Sequence, residues 1–192
     1  MRWSEGGLDL SRLGREGWLM GYPLALGLER SPEEGGLAPF EGESVEGGGD
    51  EQGVVFGQWR GLVTAVCGAL RAEGISCVNL SALASPAARV EAIAAFRGEV
   101  AGVAPPRILL LSYEDHASGI NLQNANHCFI LHPYCDRGIL RTTLMPLDRA
   151  QDYERQAVGR MNRYPQRKQV NVYRFYARGT VEEELYLHWG WV

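Results

Sequence analysis

Two arginines three residues apart, Arg160 and Arg163, follow Gln156 in the segment DRAQDYERQAVGRMNRYPQ (148–166). At about 100° per residue, Gln156, Arg160 and Arg163 fall on one helical stripe, roughly 90° from the apolar stripe Ala150, Tyr153, Ala157, Met161 and Tyr164. A guanidinium offers several donors in a rigid fork that matches phosphate oxygens, so two of them beside an amide can hold a polyanion. The spacing predicts a helix from about Leu147 to Arg163. Taken alone it fits either a phosphate grip or a solvated basic face.

Other residues that could carry chemistry are less well placed. Lys168 is the only lysine and follows Arg167, so no G-x-x-x-x-G-K-[ST] loop occurs within these 192 residues. Asp50-Glu51-Gln52 follows three glycines where a metal-binding acidic box needs an apolar strand, and the dinucleotide-like start at Gly47 and Gly49 fails at Gln52. Asp115, His116 and Ser118 are too close in sequence to face one another as a hydrolytic triad, and no G-x-S-x-G elbow surrounds the serine. His127, Cys128, His132 and Cys135 lack a zinc spacing, because His127 and His132 begin on opposite faces of a strand over 127–131. No metal site is expected.

The elements that must position the arginines follow from periodicity and punctuation. Strands are expected at 54–56, 75–80, 107–112, 127–131 and 170–176, and the run RILLLS is apolar enough to be buried on both faces. Helices are expected from Trp59 to Glu73, ended by Gly74, from Pro86 to about Arg97, and over 180–188, with a short helical turn near Gly119 to Ala125. Strand and helix alternate throughout. That pattern predicts an α/β fold with a mostly parallel sheet flanked by helices, whose ligands sit at the carboxyl ends of the strands.

Charge is distributed unevenly. Residues 1–53 hold eleven Asp or Glu against four Arg, and the stretch 31–52 has seven acids and no base. Such a segment buries too little apolar surface to offset its ordering entropy, so 31–53 is expected to be an acidic, Gly-rich disordered linker, with 1–30 unassigned and 54–192 the folded domain. Ten bases against three acids over 137–178 suit a polyanion partner. Four cysteines without C-x-x-C spacing suggest an intracellular compartment, and neither a secretory leader nor a membrane span is expected.

The order of the segments resembles the C-terminal RecA-like lobe, the helicase C-terminal domain, of the Swi/Snf family of helicase-like ATPases. VVFGQW (54–59) is similar to the strand and turn that open that lobe, and Gly74 to Phe96, with Arg89, Ile93 and Phe96, is similar to its G-I … R-x-x-x-I-x-x-F stretch. ILLLSYEDHASGINLQNANH (108–127) resembles the fifth motif, QAVGRMNRYPQ (156–166) the sixth, and VYRFYARGTVEEELY (172–186) the V-Y-R … G-T-V-E-E ending. Three features depart from the family. Asp115-His116-Ala117 replaces Ala-Gly-Gly, Pro165 replaces the last glycine of the sixth motif, and the spacer after His132-Pro133-Tyr134 is lengthened through RGILRTTLMP (137–146). The Ala-Ser-Gly-x-Asn-Leu form and this spacer most resemble the SHPRH/HLTF-related branch.

The resemblance implies a P-loop NTPase type of lobe whose Arg160 and Arg163 act as arginine fingers on ATP. The phosphates and Mg2+ would be held by a separate N-terminal RecA-like lobe, in cis or in trans. It further implies that Gln156, Gly119 and Gly159 border the nucleotide, that Ser112, Asn121, Gln58 and Trp59 contact double-stranded DNA through its backbone, and that the protein works on nuclear DNA in repair or chromatin remodelling. This chain alone would then be inactive. A rival is a degenerate, non-enzymatic lobe that binds DNA or a protein partner, and a third is an unrelated α/β hydrolase using the Asp115 to Ser118 loop. If 31–52 is a linker, limited proteolysis should cut there first and leave a resistant body starting near Val54; hydrogen exchange there as slow as in 107–112 would show a docked segment instead.

Overall fold

The computed structural model describes residues 51–113, 119–134 and 148–189, together with the backbone of short strands at 3–4, 7–8, 18–19, 22–23 and 26–32. The remainder of the acidic stretch, the 114–118 loop with Asp115, His116 and Ser118, Cys135 and the 137–146 insertion lie outside the described residues.

Six strands form the main sheet: β1 (Leu26–Pro32), β2 (Gly53–Gly57), β3 (Cys77–Asn79), β4 (Ile108–Ser112), β5 (His127–Ile130) and β6 (Asn171–Ala177). Their spatial order is β1-β6-β5-β2-β4-β3, and β6 through β3 are all parallel. The exception is β1, which pairs antiparallel with β6 from Leu26 opposite Ala177 to Pro32 opposite Asn171. The helices are α1 (Arg60–Ala72), α2 (Pro86–Phe96), α3 (Asp148–Gly159) and α4 (Val181–His188).

The central strands read as unbroken apolar runs because both faces are covered. One face presents Val54, Phe56, Leu109, Leu111, Cys128, Ile130 and Val172, packed with Phe96 of α2 and Ala157 and Val158 of α3. The other presents Val55, Ile108, Leu110 and Phe129 to Val63, Cys67 and Leu70 of α1. Local signals set the ends of the helices. Gly74, at φ 75°, closes α1 with its amide on Arg71 O, Ser85 Oγ accepts from Ala88 N at the start of α2, and Thr180 Oγ1 accepts from Glu182 N at the start of α4.

Two expectations fail here. No helical turn forms over 119–125, which is a turn-rich loop, and α3 stops at Gly159 rather than continuing to Arg163. After Val158 the bonds tighten, with Arg160 N on Ala157 O and Met161 N on Val158 O, while Leu122 N takes Arg160 O. Met161 is buried, but Tyr164 is 94% exposed, so the apolar stripe ends at Met161 and the Gln156, Arg160, Arg163 stripe is not helical beyond Gly159.

Within α3, Glu154 is fully buried. Its Oε2 lies 3.3 Å from Arg174 Nε on β6, and its Oε1 accepts from Tyr186 Oη on α4 at 3.3 Å. Burial pushes this carboxyl up to about 7, against the opposing pull of Arg174. A raised carboxyl favours the native state below its unfolded value near 4.5, and that contribution is lost as pH rises through about 7. Glu154→Ala should lower the unfolding free energy by about 3–5 kcal/mol, since it removes the carboxylate facing the buried Arg174 charge. Glu154→Gln should cost less and flatten the pH dependence over that window. Denaturant unfolding followed by circular dichroism at several pH values measures both.

Candidate functional site

Three strands deliver candidate residues to the carboxyl edge of the sheet. β2 ends at Gly57, paired in register with Ser112 at the end of β4, and β5 leads into His132. A Cβ on Gly57 would come within 2.9 Å of Val63 Cγ2, so glycine lets α1 pack closely where the chain turns. Gln58 and Trp59 form that turn. The Gln58 amide donates to His132 Nε2 at 3.0 Å, His132 Nδ1 lies 2.9 Å from Pro133 O, and the Trp59 ring stacks on the imidazole at 6.2 Å between centroids. These contacts fix one neutral tautomer, with Nδ1–H donating and Nε2 accepting. Burial lowers the His132 pKa in keeping with this.

Trp59 remains 46% exposed and Gln58 half-buried, whereas Ser112 is fully buried, its amide donating to Ser81 Oγ at 2.8 Å. Of the residues expected to meet DNA, Ser112 therefore offers no surface in this arrangement. Its burial supports the strand end instead.

The second group forms where the loop after β4 meets the end of α3. Gly119 has φ 65°, a left-handed conformation that disfavours any side chain, and a Cβ there would stand 3.8 Å from Arg160 Nη1. The two expected motifs thus meet through Gly119 and Arg160. Gln166 Nε2 reinforces the junction by donating to Gln123 O at 2.8 Å and Ala125 O at 2.9 Å. Arg163 is exposed on the following turn, Gln156 is exposed on α3, and Gly159 is exposed with space around it: a Cβ would find no atom within 4 Å. Asn121 is exposed on the loop, and its carbonyl accepts from Arg97 Nε and Nη2 at 3.1 and 2.7 Å.

His127 and His132 are not brought together as ligands. His127 is buried at the opposite, amino end of β5, with Tyr173 Oη 3.3 Å from Nδ1 and Glu51 Oε2 3.2 Å from Nε2.

No family model matches the chain. A DNA (cytosine-5-)-methyltransferase, DMT5, of Cryptococcus neoformans is 33% identical over 138 residues, which are 71% of this chain and 5% of that protein. DNA repair protein RAD5 of Yarrowia lipolytica is 29% identical over 136 residues, again 71% of this chain and 11% of the relative. Among solved structures, the C-terminal part of the Fun30 ATPase domain matches with a TM-score of 0.54 at 20% identity, covering 71% of this chain and 38% of that one. The chain has the fold of a RecA-like α/β lobe, and the relatives it matches over about 70% of its length include RAD5-type DNA repair proteins and a SWI/SNF-related protein of Arabidopsis thaliana. This lobe corresponds to about a tenth or less of the length of the two curated relatives just described.

Residues that sequence reading missed in this lobe are the supports of the site: Gln123, Gln166, Arg97 and His132. Gln166 stands inside the sixth-motif segment, so its position was marked, but its part as a clamp depends on carbonyls more than forty residues away. His132 drew notice only as a possible metal ligand, and it is a hydrogen-bond acceptor for the Gln58 turn.

That bond gives a pH prediction. With a folded pKa below its unfolded value near 6.5, His132 binds fewer protons in the native state, so stability is complete above that value and falls as pH drops below it. His132→Gln should reduce the loss of thermal stability on acidification relative to wild type; an unchanged slope would show that His132 does not titrate against folding.

Proposed function

We propose that this lobe is the second half of a DNA-stimulated ATPase and translocase. On this reading Arg160 and Arg163 act on ATP bound by an N-terminal lobe, and the loop and turn residues contact the backbone of double-stranded DNA. The observation that carries it is the juxtaposition of the left-handed Gly119 with the Arg160 guanidinium, because any side chain at 119 would occupy space beside that charged fork. A cradle of bare backbone next to guanidinium donors fits a phosphate group. Arg163, exposed one short turn later, adds a second fork.

The chemistry assigned to these residues is electrostatic. As negative charge develops on the transferring phosphoryl oxygens, preoriented guanidiniums offset it without reorganising. Gln156 and Gly159 border the same end of α3, the amide as a polar contact and the glycine as open space for approach. Mg2+ would be held by the N-terminal lobe. Asn121, Gln58 and Trp59 supply the DNA contacts, with the side-chain amides of Asn121 and Gln58 donating to phosphate oxygens and Trp59 packing against the sugar backbone. Such contacts are independent of sequence and sensitive to salt. The names of the relatives, which include DNA repair proteins, agree with DNA as the partner and with nuclear work.

In a protein joining this lobe to a competent N-terminal lobe, Arg160→Ala or Arg163→Ala should lower ATP turnover by about 10³-fold or more. DNA affinity and thermal stability should change little. If instead affinity and its salt slope fall while turnover at saturating DNA survives, the arginines form a basic DNA face. Unimpaired turnover with normal DNA binding in both variants would favour the degenerate, non-enzymatic lobe.

A further inference from the structure

The structure assigns Gln123 a positioning role that links the DNA-contacting loop to the Arg163 turn; this rests on the reading of Asn121 and Arg163 proposed above. Gln123 is half-buried between the two segments and bonded to both. Its Oε1 accepts from Asn121 Nδ2 at 3.1 Å, and its own amide N–H donates to Asn121 Oδ1 at 3.2 Å. Its Nε2 donates to Tyr164 O at 2.6 Å, and its carbonyl accepts from Gln166 Nε2 at 2.8 Å.

The orientation of the side-chain amide follows from chemistry. A backbone carbonyl can only accept, so the nitrogen of Gln123 must face Tyr164 O and the oxygen must face the donor of Asn121. The flipped amide would set oxygen against oxygen on one side and N–H against N–H on the other.

Each end of this relay is anchored. Asn121 is held from behind by Arg97, through two donors on its carbonyl. Tyr164 directly follows Arg163, whose amide donates to Met161 O and whose carbonyl accepts from Gln166 N at 2.8 Å. The turn therefore has little freedom to move apart from Gln123. Asn121 Nδ2 carries two hydrogens, one of which is given to Gln123, leaving one for a phosphate oxygen. A phosphate that draws Asn121 outward pulls on Gln123, and Gln123 transmits the displacement to the carbonyl beside Arg163. Contact with DNA at one end thereby changes where the guanidinium stands at the other.

The test uses the full chain, labelled with nitrogen-15 and titrated with a short DNA duplex. The Asn121 side-chain amide and the Arg163 Nε–H are followed by NMR. In the wild type, both signals should shift along one binding curve. Gln123→Glu keeps the acceptor for Asn121 but has no donor for Tyr164 O. In that variant the duplex should still bind and shift Asn121, while the Arg163 shift shrinks several-fold, to what the Gln166 bond to the Gln123 carbonyl still carries. Gln123→Met, of similar length and without charge, should shrink it as far.

An Arg163 shift that persists undiminished in both variants while the duplex still binds overturns the relay and leaves the DNA reading standing. Shrinkage in Gln123→Glu with an undiminished shift in Gln123→Met also overturns it, since repulsion rather than the missing bond would then be at work. A wild-type chain whose Asn121 does not respond to duplex overturns the DNA contact itself, and the relay with it. Equal melting temperatures in all three proteins would show that the smaller shift does not come from unfolding.

Discussion

The side-chain amide of Gln166 has two hydrogens, and both are spent on carbonyls of the loop that leads into β5, those of Gln123 and Ala125. Those acceptors belong to a segment more than forty residues earlier in the chain. Without a donor at this point, two carbonyls and the turn after α3 would compete for water at the edge of the core, and nothing local would hold them in register. With it, Leu122 N reaches Arg160 O, Gly119 lies against the Arg160 guanidinium, and Asn126 O receives Asn171 N at the start of β6. The geometry of the candidate site is thus a consequence of satisfied backbone groups. The charged side chains ride on it.

Electrostatics inside the lobe work in the opposite way from those at its surface. Glu154 and Arg174 are both buried, and their attraction has to offset the loss of water around each charge. The pair joins α3 to β6, and Tyr186 brings in α4, so three elements are tied at one carboxylate. An apolar contact would pack α3 at many rotations; a carboxylate with directed partners accepts one. That fixes the rotation at which Gln156 is exposed and Arg160 leaves the helix. His132 contributes a different kind of order, a neutral ring whose acceptor nitrogen replaces a missing backbone partner for Gln58.

Much of the scaffold is legible in sequence because it depends on local rules. The apolar runs at 54–56 and 108–111, the capping serine at 85 and the glycine at 74 each state an element and its end. The juxtaposition of Gly119 with Arg160 is legible only through the order of motifs, since 41 positions separate the two residues. The end of α3 is only partly legible, since Pro165 marks a stop within a few residues but not at Gly159. Ala157 and Met161 keep the helical spacing, and the bond that takes up Arg160 O just past the last helical residue comes from Leu122, in another part of the chain. Likewise Glu154 reads as a surface acid until Arg174 and Tyr186 are seen beside it. β1 is blurred by Gly27 and Pro32, so periodicity gives no strand there.

That antiparallel strand has a bearing on how the sheet ends. β6 carries the sequence NVYRFYA, aromatic and β-prone, with alternate residues buried. Seven consecutive register positions of β1 lie along its outer side, so the backbone groups that would otherwise face outward are matched by the same chain. An uncovered strand of this composition is a template on which other chains can assemble. β1 is itself the outermost strand, but its Glu29, Arg30 and Pro32 make a poor template, so residues 26–32 blunt that border. A lobe trimmed to begin at β2 would leave β6 as an adhesive edge on the side farthest from β3.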